Sequence, residues 1–133
     1  MSAADIHGAV EAAIGEVPGC LAAAYLDLAA GVALHMAARD ALTPALRENL
    51  PLAWMGLFTP GPLALFDARL TGASFPTTPR ELIVNGETST HLFLRGRLYP
   101  DYGAVFVCAH GANFGYTLYK ARAALARIEA ALQ

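Results

Sequence analysis

Residues 103–109, Gly-Ala-Val-Phe-Val-Cys-Ala, contain no charge and no polar alternation. A strand built from such a run suits the middle of a sheet, covered on both faces, and Val105, Phe106 and Val107 favour the extended chain. A turn at His110-Gly-Ala-Asn113 follows, and then Phe114, Leu118, Ala121, Leu125, Ile128 and Leu132 recur at spacings of three and four. The spacing predicts a helix to the end of the chain with one apolar stripe, leaving Lys120, Arg122, Arg127 and Glu129 off it. The unit is a buried strand feeding a covering helix.

The rest of the chain supplies the sheet around that strand. Ile6, Val10, Ala13, Ile14 and Val17 share one face of a first amphipathic helix that Pro18-Gly19 ends. Residues 20–28 read as an Ala-rich strand with Leu26 and Leu28 opposite Tyr25 and Asp27, and Ala29-Ala30-Gly31 is short enough for a hairpin into an alternating strand carrying Val32, Leu34 and Met36. Between residues 40 and 72 the apolar spacing turns helical, and Pro44, Pro51, Pro60 and Pro62 divide it into pieces at about 44–58 and 62–70, Pro51 sitting in a first turn or making a kink. Residues 81–84 form a short strand, Asn85-Gly86 signals a turn, and 88–98 form a longer strand whose practical end, or a bulge, is marked by Gly96. The order is α-β-β-α-β-β-β-α, and residues 1–133 make one domain with neither an internal repeat nor a linker.

Composition narrows the class of function. With 56% hydrophobic and 15% charged residues the chain fills one core with apolar residues left over, for which self-association is the simplest cover. A net charge of −2 with nine scattered basic residues leaves no footprint for nucleic acid. The stretch between Asn49 and Asp67 is uncharged, but it falls short of the ~18 to 20 continuous apolar residues of a membrane span and Thr59-Pro60-Gly61-Pro62 breaks it, so no membrane insertion is expected. The start Met1-Ser-Ala-Ala-Asp lacks the basic and apolar regions of a signal peptide, which predicts a cytoplasmic protein with Cys20 and Cys108 as unbridged, buried thiols.

This order of elements, with Val17-Pro-Gly-Cys before the first strand, His91-Leu-Phe-Leu-Arg in the fourth and Gly111-Ala-Asn-Phe-Gly before the last helix, resembles the roadblock family of dynein light chains and its bacterial relatives. The resemblance covers nearly the whole chain and is most specific in the fifth strand and the Ala-Asn-Phe-Gly turn, which is similar to the family's Ala-Asn-Leu-Gly. It implies an α+β fold of profilin-like type, a five-stranded, mostly antiparallel sheet with the first and last helices on one face and the middle helix on the other. It also implies homodimers joined through the third strand and middle helix, and work as an adaptor or regulator of small Ras-like GTPases without catalytic residues. The sequence departs from the family between its second and third strands, where an uninterrupted helix would have to pass Pro51 and the Thr59-Pro60-Gly61-Pro62 break.

The reactive side chains all have plainer roles open to them. Cys108-Ala-His110 puts a thiol and an imidazole on one side of a strand, half of a metal site or of a nucleophile and its base, yet His35 or His91 would have to join them. Ser2, Ser74 and Ser89 lie in no nucleophile-elbow context, and no dinucleotide or Walker loop exists. Residues 111–115 can offer N–H groups to an anion, against a plain N-cap by Asn113. No catalytic, metal or cofactor residue is assigned. The site expected instead is a dimer surface of Leu50, Trp54, Leu57, Phe58, Leu65 and Phe66 with the edge strand Leu82, Ile83 and Val84. A sensor holding a small ligand against Trp54, Phe58 or Phe66 is the alternative, and a small cysteine- or metal-dependent enzyme is a third.

Overall fold

The computed structural model describes residues 3–40, 43–58, 62–74, 79–111 and 113–133. Its elements are α1 (Ala3–Glu16), β1 (Cys20–Asp27), β2 (Val32–Ala38), α2 (Pro44–Phe58), α3 (Pro62–Thr71), β3 (Glu81–Asn85), β4 (Ser89–Arg95), β5 (Tyr102–Ala109) and α4 (Phe114–Ala130). The five strands form one sheet in the order β2-β1-β5-β4-β3, and every neighbouring pair is antiparallel. β5 is therefore the middle strand, as its uncharged run requires.

The two faces of the sheet carry different helices. Ile6, Val10 and Ala13 of α1 and Ala121, Ala124, Leu125 and Ile128 of α4 pack over Tyr25, Leu92, Leu94, Ala104, Phe106 and both cysteines. On the opposite face Trp54 of α2 covers Ala24, Leu26, Met36, Phe93 and Val105. Successive residues of a strand point to opposite faces, so Val105 and Phe106 can serve the two cores from adjacent positions.

Three details depart from the sequence reading or go beyond it. The middle region is not one of them: the pieces expected at about 44–58 and 62–70 are α2 and α3, divided because a proline lacks the N–H that would continue the intrahelical ladder. Thr59, Pro60 and Gly61, where the break was placed, lie outside the described residues. Pro51 lies inside α2 rather than in its first turn, a place that Pro44 takes. The chain reverses after β3 at Glu87-Thr88 instead of Asn85-Gly86: Asn85 still pairs with Thr90, its Oδ1 accepting from the Thr90 hydroxyl at 2.9 Å, and the Gly86 N–H donates to the Ser89 carbonyl at 2.9 Å. Finally, Glu129 of α4, off the apolar stripe, is buried all the same, for its carboxylate accepts the backbone N–H groups of Arg97, Leu98 and Tyr99.

Candidate functional site

β3 is an edge strand that pairs only with β4 among the described residues. Ile83 faces the α1 and α4 side, opposite Leu92, whereas Leu82 and Val84 face the α2 side, opposite Phe93 and His91. Leu82 is half-buried against the Trp54 core, while Ile83 and Val84 are exposed. An exposed strand edge offers a row of backbone donors and acceptors to another strand.

The helices beside it are unevenly covered. α2 turns Trp54 fully inward, where 2% of it remains exposed, and Leu50 is half-buried in the same core. This corrects the placing of Trp54 among surface candidates: its surface is spent on its own sheet. α3 buries only Ala68 among its described side chains and leaves Leu65, Phe66 and Leu70 exposed, Phe66 at 67% and Leu70 at 77%. Leu52 of α2 joins them at 66%. The side chains of Leu57 and Phe58 lie outside the described residues. Leu52 and Leu70 were missing from the expected surface, although Leu52 stands in the uncharged stretch and Leu70 follows Phe66 at helical spacing. Large apolar side chains left open over two helices mark a surface built to be covered.

His91 and Cys108 lie on opposite faces of the sheet. His91 sits on the α2 face, where the Trp54 indole N–H donates to its Nδ1 at 3.4 Å and Ser89 Oγ lies 3.4 Å from its Nε2. An indole only donates, so Nδ1 is the unprotonated nitrogen and Nε2 carries the hydrogen. Cys108 points under α4 against Cys20, and His110 lies exposed beyond the end of β5. Among the described residues no three His, Cys, Asp or Glu side chains lie together as metal ligands would. Asn113 caps α4, its Oδ1 accepting the Tyr116 N–H at 3.1 Å, so the turn before the helix already serves a backbone donor. A cleft of about 560 Å³ lies away from α2, between Arg80, Glu81, Arg97 and the Arg122 side of α4. Arg122 holds Glu81 there in a two-pronged pair at 2.8 and 2.7 Å.

Titration of these groups gives a pH signature. Burial holds His91 below the ordinary imidazole range, and burial with the neighbouring His7 does the same to His35. Their depressed values mean that the unfolded chain takes up protons first, so stability is lost as pH falls through the unfolded imidazole value of 6.5. Glu81 is held down chiefly by the Arg122 hydrogen bond, and its contribution is lost only below the free carboxyl value of 4.5. Urea midpoints should be level from about pH 7 to 8 and decline from about pH 6.5 towards 5. A midpoint that rises over that acid range would contradict the burial of the two imidazoles.

No known family profile matches the sequence, and no curated protein matches it. Solved structures do. MglB of Myxococcus xanthus superposes with a TM-score of 0.73 over 99% of this chain and 93% of its own, at 11% identity. A Roadblock/LC7 domain from Streptomyces avermitilis does so with a TM-score of 0.71 over 96% of this chain and 98% of its own, at 12% identity. An MglB in a tetrameric arrangement matches with a TM-score of 0.69 over 95% of this chain and 89% of its own, at 20% identity. Likeness at such low identity is likeness of fold, and the fold of this chain is that of the roadblock domain.

Proposed function

We propose that this protein is a non-enzymatic homodimeric module for signalling or scaffolding, and that it acts as regulator or adaptor of a Ras-like small GTPase. Two observations carry the reading: the open edge of β3, with Ile83 and Val84 exposed on its two faces, and the exposed apolar side chains Leu52 of α2 and Leu65, Phe66 and Leu70 of α3. Edge pairing between two copies of β3 would join their sheets and let the apolar helices of one copy meet those of the other, which closes the edge under two-fold symmetry. The tetrameric arrangement of a structurally similar MglB supports self-association, and the family that the sequence resembles supports the GTPase.

Sedimentation of the full chain at micromolar concentration tests the assembly. Wild type should run as a dimer, while Phe66→Asp and Ile83→Lys should each weaken association by about a hundredfold or more, since interface anchors lose about 2 kcal/mol or more on truncation and a charge adds desolvation. Circular dichroism checks that both variants stay folded. A well-folded wild-type monomer would remove the dimer. For the partner, the dimer should bind a Ras-like GTPase with an affinity that depends on whether GTP or GDP is loaded, and equal or absent binding in both states would remove the regulatory role.

A further inference from the structure

The chain has two cysteines, and the fold brings them face to face. Cys20 opens β1 and Cys108 lies near the end of β5, and the two are direct cross-strand partners. The Cys20 N–H donates to the Val17 carbonyl at 3.1 Å, and its own carbonyl accepts from Arg39 Nε at 2.8 Å. Both backbone groups of Cys20 are thus turned away from β5, and the nearest ladder bond between the strands is one position on, from the Ala109 N–H to the Gly19 carbonyl at 2.8 Å. The pair is therefore of the non-hydrogen-bonded kind, whose Cα atoms lie about 4.5 Å apart, inside the ~4.4–6.8 Å range that a disulfide spans. Both thiols are free, buried on the α1 and α4 face, and set opposite each other across the two strands.

The two sulfurs are not equivalent. Cys108 lines a pocket of about 180 Å³ with Thr90, His110, Phe114 and Thr117, large enough to admit a small oxidant. Cys20 lines the enclosed side, and its thiol also donates to the Ala22 carbonyl at 3.3 Å. The contact with Cys108 and burial push the Cys20 thiol up, whereas the neighbouring Cys20 thiol brings the Cys108 thiol down.

We propose that Cys20 and Cys108 are a hydroperoxide-reactive dithiol, in which Cys108 is the sulfur attacked and Cys20 the thiol that resolves it, so that oxidation staples β1 to β5. Cys108 gives up its proton and the thiolate attacks one oxygen of the peroxide; an S–O bond forms, the O–O bond breaks, and the hydroxide that leaves takes up that proton as water. Cys20 then attacks the Cys108 sulfur; the S–S bond forms, the S–O bond breaks, and the oxygen leaves as water with the Cys20 proton. Two thiols lose two electrons and one peroxide becomes two waters. A small dithiol reverses the step by exchange.

The test is intact mass and peptide mapping of the full chain after hydrogen peroxide, with free thiols alkylated under denaturing conditions. Wild type should lose two hydrogens, show a peptide linking Cys20 to Cys108 within one chain, and regain two alkylatable thiols with dithiothreitol. In Cys20→Ser the oxidation should stop at a Cys108 sulfenic acid that dimedone traps. In Cys108→Ser, Cys20 should stay unmodified at the same peroxide dose. Two thiols that remain alkylatable in wild type at doses that already oxidise the methionines would overturn the proposal, whatever the variants do. A disulfide formed only between chains would also overturn it, and dimedone labelling at Cys20 in Cys108→Ser would overturn the assigned roles.

Discussion

Trp54→Ala is expected to cost about 3–5 kcal/mol of folding stability, a large share of the roughly 5–15 kcal/mol that holds a domain of this size. Trp54 is the largest fully buried side chain in the protein and, with Pro51, one of two buried side chains that the described part of α2 sets against the sheet. Its removal opens a cavity over Phe93 and Val105 and leaves His91 Nδ1 without the indole N–H. Both losses act on one helix, so α2 should detach before the β1–β5–β4 centre unfolds. Urea denaturation followed by far-ultraviolet circular dichroism measures the cost. A loss below about 1 kcal/mol would mean that α2 is held by something other than its tryptophan. Trp54→Phe, which keeps the ring but not the donor, should fall in between.

What the sequence foretold of this region and what it missed have the same source. Apolar spacing says which side chains share a face of a helix, but not what the face meets. Leu50, Trp54, Leu65 and Phe66 therefore looked alike in the sequence, and the structure sends Trp54 into the core and leaves Phe66 open. The central position of β5 was legible because its run lacks the polar alternation of a half-exposed strand, and the two helices of the middle region were legible because proline acts locally. The reversal after β3 was misplaced because pairing of Asn85 with Thr90 outweighed the turn preference of Asn-Gly. Opposition of Cys20 and Cys108 was invisible for another reason: register between strands far apart in the chain is a property of the whole sheet. Glu129 escaped for the same reason, since its partners lie some thirty residues away.

Those partners give the second large effect. Loss of the Glu129 carboxylate is expected to destabilise the protein by about 2–5 kcal/mol, because each buried donor left unsatisfied costs about 1–3 kcal/mol and a loop that opens to water recovers part of it. Oε1 accepts the Arg97 N–H at 3.2 Å, and Oε2 accepts those of Leu98 and Tyr99 at 2.9 and 3.0 Å. The loop can wrap the carboxylate because of Gly96, where an added Cβ would stand 2.3 Å from the Tyr99 carbonyl oxygen and 3.0 Å from Glu129 Oε2. Glu129→Ala and Gly96→Ala should thus each release the β4–β5 loop from α4 by different means. Glu129→Gln, with one acceptor oxygen and an amide that confronts a donor, should lie between wild type and Glu129→Ala. Since the two sites act on one loop, the double variant Gly96→Ala/Glu129→Ala should lose clearly less than the sum of the single changes, by about 1 kcal/mol or more. Chemical denaturation of the four proteins of that cycle decides the matter: strict additivity, or a loss under about 0.5 kcal/mol for Glu129→Ala, would mean that the loop holds its shape without the carboxylate.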